Sequence, residues 1–139
     1  MYIQTTDSNE FLPVIDELIG EYAYLTSLDN VLFFYSTENA SNGKVVTLTI
    51  QDGAFVWNDL IAESMLPIRS VNIINKKILV TYLVDTLSKV KTFDLNGSFL
   101  EDFQFAEAGT IGGFYGGIDD EETYFNFTNY ITPSKIYKL

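Results

Sequence analysis

At 139 residues and 47% apolar, with nine glycines and three prolines, the chain has one domain's worth of core-forming material and fits neither the disordered nor the low-complexity classes. Acidic residues outnumber basic ones 19 to 8, and the net charge of −11 repels phosphate backbones and anionic lipid headgroups, so neither nucleic acid nor a membrane surface is an expected partner. Cys and His are both absent, which removes disulfides, thiolate nucleophiles, Cys-rich zinc sites and any Ser-His-Asp unit completed within this chain.

Strand and turn signals then follow at the spacing of all-β architecture. Residues 2–6 and 11–15 read as a strand pair. Residues 22–28, 31–37, 45–50 and 55–62 make four strands, and 68–74, 77–84, 89–95 and 99–105 make four more. Residues 110–116, 123–131 and 134–138 supply three. Val, Ile, Thr, Tyr and Phe dominate these segments, and Pro13, Pro67 and Pro133 fall at or beside proposed strand starts. One stretch dissents. Ile15, Leu18, Ile19 and Tyr22 lie at i, i+3, i+4 and i+7, a helical face, so a short helix within 13–23 is the alternative there.

Side-chain parity sharpens several strands. Val46, Leu48 and Ile50 alternate with Thr47 and Thr49, and Phe103 and Phe105 flank Gln104, so each strand should show one face to a core. The nearly continuous apolar run 78–84 suits a strand covered on both faces. Around 91–95 the alternation slips, which predicts a β-bulge.

The segments repeat. Residues 11–17 (FLPVIDE), 55–63 (FVWNDLIAE) and 99–107 (FLEDFQFAE) begin with phenylalanines 44 residues apart. Asp52-Gly53 and Asn96-Gly97 keep the same interval, each where a two-residue hairpin turn would sit. A four-stranded antiparallel unit of this length is the pattern of a β-propeller blade. The expected fold is therefore all-β, a partial propeller with about two complete blades and parts of two more, divided at 1–20, 21–63, 64–107 and 108–139.

In this order the residues resemble the propeller of the prolyl oligopeptidase family of serine peptidases. The resemblance is strongest over 109–114 (GTIGGF) and 124–137 (YFNFTNYITPSKIY), and continues upstream through 20–25 (GEYAYL), 57–63 (WNDLIAE), 80–85 (VTYLVD) and 90–97 (VKTFDLNG). It implies that the segment corresponds to the later blades of a seven-bladed ring capping an α/β-hydrolase domain. That domain and the remaining blades are the implied partners. In this family the propeller restricts access to short peptides, and the hydrolase part supplies most of the proline pocket and the triad. With no His and no Gly-x-Ser-x-Gly elbow here, no catalytic residue carries over.

Other chemistry reads as structural. The nine serines have no histidine to deprotonate them. Asp119, Asp120, Glu121 and Glu122 fall between two strands without the ligand spacing of a calcium loop, and read as a solvated hairpin tip. Gly112-Gly113 and Gly116-Gly117 do not fit a phosphate-binding loop, and read as points of close approach in an inner strand. Trp57 reads as core, and the tripeptides at Asn39, Asn96 and Asn126 as chance glycosylation patterns. No metal or cofactor is expected, and no substrate-binding residue is assigned.

Two functions remain open on these residues. One is a non-catalytic propeller segment of a prolyl endopeptidase, the other a free-standing β-rich interaction module. Unpaired strand edges predict self-association in either case. No apolar run exceeds the five residues from Val31 to Tyr35, and 1–7 has no basic patch before an apolar stretch. A cytoplasmic location is therefore expected, or a periplasmic one after removal of a signal.

Overall fold

Four turns set the hairpins. At Asp29-Asn30, Asp52-Gly53, Asn75-Lys76 and Asp85-Thr86 both residues take positive φ, the type I′ signature whose twist matches that of the flanking strands. Asp and Asn tolerate this region because their short polar side chains bond locally. The computed structural model describes residues 1–4, 10–15, 17 and 19–139. It contains thirteen strands and, among the described residues, no helix.

The strands form four antiparallel sheets in chain order. β1 (Tyr2–Gln4) pairs with β2 (Phe11–Pro13). Sheet two is β3 (Tyr22–Leu28), β4 (Val31–Ser36), β5 (Lys44–Gln51) and β6 (Ala54–Ile61), each hydrogen-bonded to the next. Sheet three repeats this with β7 (Ile68–Ile74), β8 (Lys77–Val84), β9 (Leu87–Asp94) and β10 (Phe99–Phe103). Sheet four has β11 (Thr110–Tyr115), β12 (Tyr124–Thr128) and β13 (Lys135–Lys138). The first strands β3, β7 and β11 adjoin one another, so the sheets fan outward from an inner edge as in a partial β-propeller.

Apolar side chains fill the spaces between sheets. Phe33, Val45 and Ile61 of sheet two meet Ile73, Ile78, Val80, Tyr82 and Phe93 of sheet three. From the other side of sheet three, Ile74, Leu79 and Val90 meet Ile111, Phe114, Phe125 and Phe127 of sheet four. A third cluster, Phe34, Val46 and Leu48, takes Val14 against it. β8 is buried without a break from Ile78 to Tyr82, which is the two-sided burial its continuous apolar run predicts. Each such side chain contributes about 1.5–3 kcal/mol relative to exposure.

The innermost strands share a device. β3, β7 and β11 each carry one extra residue against their partner, at Leu25, Arg69 and Gly112, the β-bulge that bends a strand and raises its twist. β10 and β6 also slip register, at Leu100 and Leu60.

Several expectations need correction. The bulge predicted within 91–95 lies on the opposite strand: β9 pairs regularly with β8, while Leu100 of β10 is extra between the partners of Phe93 and Thr92. Asn96-Gly97 does not form a two-residue turn. Gly97 alone has positive φ, and the Gly97 N–H donates to the Asp94 carbonyl (3.1 Å) while the Asp94 N–H donates to Ser98 (2.9 Å), a three-residue loop with a glycine bulge. β5 is buried on both faces, Val45 and Thr47 as well as Val46 and Leu48, whereas Ile50 is exposed.

The helical alternative at 13–23 falls partly outside the described residues, which omit Asp16 and Leu18. Within them, Pro13 ends β2, Tyr22 begins β3, and Ile15 exchanges backbone hydrogen bonds with Met1. β12 stops at Thr128, short of 131, because Asn129 Oδ1 accepts the N–H groups of Ile131 (3.1 Å) and Thr132 (2.7 Å) and turns the chain.

Candidate functional site

One end of the sheets gathers the connections between them and the hairpins of their middle strands. The local ties are specific. Glu63, the last residue of the repeated segment, accepts from the Asn42 N–H (2.6 Å) and Ser41 Oγ (3.3 Å), while Asn42 Nδ2 donates to the Ser64 carbonyl (3.0 Å). Glu107, 44 residues on, accepts from Asn129 Nδ2 (2.9 Å) across the boundary between sheets three and four. Both carboxylates are thus used to fix loops. The Ile68 N–H donates to the Asn42 carbonyl, Ser88 to Gly109, and Thr110 Oγ1 to Thr86, so adjacent sheets are stitched at this end.

Between sheets three and four lie two adjoining clefts of about 370 and 260 Å³ that share Leu87, Ala108 and Gly109. The larger is lined by Asp102, Phe103, Gln104 and Phe105, where β10 leaves its ladder at Phe103. Lys89, Asp102 and Glu107 put both signs of charge on the larger cleft, and Tyr130 lies at the edge of the smaller. Tyr130 is 97% exposed and Ile131 89%, held out by the Asn129 turn. Met65 projects from the connection between β6 and β7 at the same end. Sequence reasoning misses this apolar tip. The run Asn-Tyr-Ile-Thr reads as strand until the Asn129 turn is seen.

The other sequence candidates are separate. Asp120 Oδ2 accepts from the Gly117 N–H (2.6 Å), and Glu122 accepts from Tyr124 Oη (2.6 Å) and pairs with Lys138. Lys138 and Tyr124 hold the Glu122 carboxyl below its usual range, and Glu122 in turn raises both partners. These carboxylates bind their own chain, and among the described residues no group of three His, Cys, Asp or Glu could hold a metal ion.

Gly112 makes room for the Asn126 amide, whose atoms would lie within 2.5–2.8 Å of an added Cβ, and Gly116 does the same for Ile74 of the neighbouring sheet. Gly112 and Gly116 therefore serve close approach, whereas an added Cβ at Gly113 would meet nothing nearer than 3.7 Å, and Gly116 and Gly117 lie beyond the end of β11. Trp57 is partly buried and packs against the third cluster, 5.2 Å from Tyr22 and 5.3 Å from Phe34. Burial, then the Glu38 carboxylate, pushes Tyr22 up to about 12.

A family model described as the prolyl oligopeptidase N-terminal β-propeller domain matches residues 1–139. The chain belongs to the prolyl oligopeptidase family. It is 35% identical over 134 residues to the prolyl endopeptidase of Elizabethkingia miricola, covering 96% of this chain and 19% of that protein. With the prolyl endopeptidase of Elizabethkingia meningoseptica it shares 30% over 133 residues, covering 95% and 19%. Solved structures agree on the fold. A prolyl endopeptidase superposes with a TM-score of 0.87 at 23% identity over 95% of this chain and 20% of that one. Prolyl oligopeptidase B from Galerina marginata gives 0.85 at 17%, over 93% and 18%. The chain spans about a fifth of the length of the relatives it matches. Within this family the two clefts, the exposed Met65 and the turn carrying Tyr130 and Ile131 are features of a propeller segment.

Proposed function

We propose that this chain is a non-catalytic segment of the propeller in a prolyl endopeptidase that cleaves short peptides after proline, and that the propeller admits those peptides and excludes folded proteins. The family match along all 139 residues carries this reading. The residue inventory supports it: without His, no serine here has a general base in the same chain. Catalysis then belongs to an α/β-hydrolase domain elsewhere in the polypeptide, and the remaining blades complete the ring. Residues 1–20, 21–63, 64–107 and 108–139 are the blade units in this proposal, and the cytoplasm is the proposed compartment.

Gating needs a rigid wall. The side-chain ties from Asn42, Ser88, Thr110 and Asn129 across the loop end supply one, since sheets fixed to each other cannot part independently. The test compares the 139-residue chain with the polypeptide from the full reading frame, using a proline-containing chromogenic peptide and a folded protein with exposed prolines. Turnover of the peptide only by the longer polypeptide is expected. Hydrolysis by the isolated chain would overturn the non-catalytic assignment. Equal cleavage of folded protein and peptide by the longer polypeptide would overturn the gate.

A further inference from the structure

Two asparagines precede glycine in the sequence, Asn42 before Gly43 and Asn96 before Gly97. A glycine has no Cβ to hinder the approach of its nitrogen to the preceding side chain, so at these steps the main chain can attack an asparagine amide. The fold treats the two differently. Asn42 Nδ2 donates to the Ser64 carbonyl (3.0 Å), the Asn42 N–H donates to Glu63 (2.6 Å), and Gly43 is buried against the Tyr35 ring. Asn96 is exposed in the hairpin between β9 and β10. Asp94 Oδ1 accepts the N–H groups of Asn96 (2.9 Å) and Ser98 (2.8 Å) and so fixes the loop backbone. Among the described residues nothing bonds the Asn96 side-chain amide. Both glycine N–H groups donate within their turns, Gly43 to Ala40 (2.9 Å) and Gly97 to Asp94 (3.1 Å). Those bonds therefore do not separate the two steps; the held amide and the buried nitrogen at 42–43 do. Sheet three is covered on both faces by its neighbours, so the exposure of this hairpin does not depend on what adjoins either end of the array.

We propose that Asn96 is a site of spontaneous deamidation in the folded chain, and that Asn42 is protected from it. The Gly97 nitrogen loses its proton to solvent and attacks Asn96 Cγ. The new N–Cγ bond closes a cyclic imide as the Cγ–Nδ2 bond breaks, and the side-chain nitrogen leaves as ammonia. Water then opens the ring at one of its two carbonyls. Opening at Cγ leaves ordinary aspartate, whereas opening at the main-chain carbonyl leaves isoaspartate, whose backbone runs through the side chain and is one carbon longer. The only co-reactant is water, and nothing is oxidised or reduced. The repeat separates the two products. Asp52 holds the matching place before Gly53, so the fold already accepts a carboxylate before the glycine of such a hairpin. A longer backbone is another matter, because a Cβ added at Gly97 would lie 2.3 Å from the Leu60 carbonyl oxygen of sheet two. Isoaspartate at 96 therefore disturbs the contact of this hairpin with sheet two, and aspartate leaves it in place. The inference rests on the loop and stands apart from the peptidase reading.

The test ages the purified 139-residue chain at neutral pH, both folded and in concentrated urea. Its proteolytic peptides are then mapped by mass and by labelling with a protein isoaspartyl methyltransferase. In the folded chain isoaspartate should form at residue 96 roughly tenfold or more faster than at residue 42, because reaction at Asn42 waits for local opening. In urea the two rates should converge. Asn96→Gln should abolish the signal at 96 in a chain that circular dichroism shows to be folded. The isoaspartyl fraction should unfold at lower urea than the fresh chain, and Asn96→Asp should not. A folded chain that stays intact at residue 96 while the unfolded one reacts there, or that reacts at Asn42 as fast as at Asn96, overturns the proposal. An isoaspartyl fraction as stable as the fresh chain overturns its structural consequence.

Discussion

The two inner interfaces solve one packing problem with different side chains. Between sheets two and three the fill is largely aliphatic, with Val45, Ile61, Ile73, Ile78 and Val80. Between sheets three and four it is aromatic: Phe103, Phe105, Phe114, Phe125, Phe127 and Tyr137 touch in a chain of ring contacts from 4.4 to 6.3 Å. Strand length explains the difference. β5, β6, β8 and β9 have eight residues each, while β10 and β12 have five and β13 four. Short strands offer fewer inward positions, and a ring covers about 150–250 Å² where a branched aliphatic covers less.

If rings make up for missing strand length, removing one should hurt sheet four most. Phe127→Ala is expected to cost about 3–5 kcal/mol, against about 0.5–1.5 for Ile78→Val at the aliphatic interface. Urea unfolding monitored by fluorescence measures both, and equal losses would break the comparison. Next come the glycines of two hairpins. Gly53→Ala meets open space at φ +80 and should lose only the left-handed penalty of about 1–2 kcal/mol. Gly97→Ala, at φ +82, should lose more in the same unfolding experiment, because its Cβ would run into the Leu60 carbonyl oxygen.

A gain is expected from Thr81→Val. The Thr81 hydroxyl is buried without a hydrogen-bond partner among the described residues, and replacing it by a methyl should stabilise by about 1 kcal/mol. A clear loss in a thermal melt would show that the hydroxyl has a partner.

Titration separates the ends of the array. Burial and Glu38 raise Tyr22 from its ordinary value near 10 to about 12. The folded state therefore keeps the proton longer than the unfolded state does, and stability should fall as pH rises through that window. Tyr22→Phe should flatten the decline. The smallest effect is in acid. Lys138 and Tyr124 lower Glu122, so its contribution is present at neutral pH and disappears as pH falls through the folded-state value. Glu122→Gln should remove that part of the acid dependence, and with it the part of the alkaline decline that comes from Lys138 and Tyr124, whose protons Glu122 holds.

Period and parity make the sheets legible in the residues alone. The limits of β3, β7 and β8 match the expected ones, because Asp29-Asn30, Asn75-Lys76 and Pro67 mark them in the sequence. Illegible features depend on contacts between distant residues. The slip in β9 alternation marks the right step of the ladder and the wrong strand, since a pattern within one strand cannot show which side holds the additional residue. Two-sided burial of β5 is hidden because Thr47 looks polar yet faces the packed space between sheets. The candidate site is less legible still. Glu63 and Glu107 stand out only as a repeat until Asn42 and Asn129 are seen bonded to them, and Tyr130 and Ile131 read as strand.

The bulge shared by β3, β7 and β11 carries three unlike residues: Leu25, which packs against the core, Arg69, which is exposed, and Gly112, which admits the Asn126 amide. A residue opposite no partner can change without shifting any neighbour to the other face of the sheet. The innermost strand of each of sheets two, three and four thus carries an insertion slot, and these slots hold bulk, charge and emptiness in turn while the ladder keeps its register. For an engineer exposed Arg69 is an address on the inner wall of the arc, and for a lineage of propellers the slot is a position where the lining can diversify without a change of register.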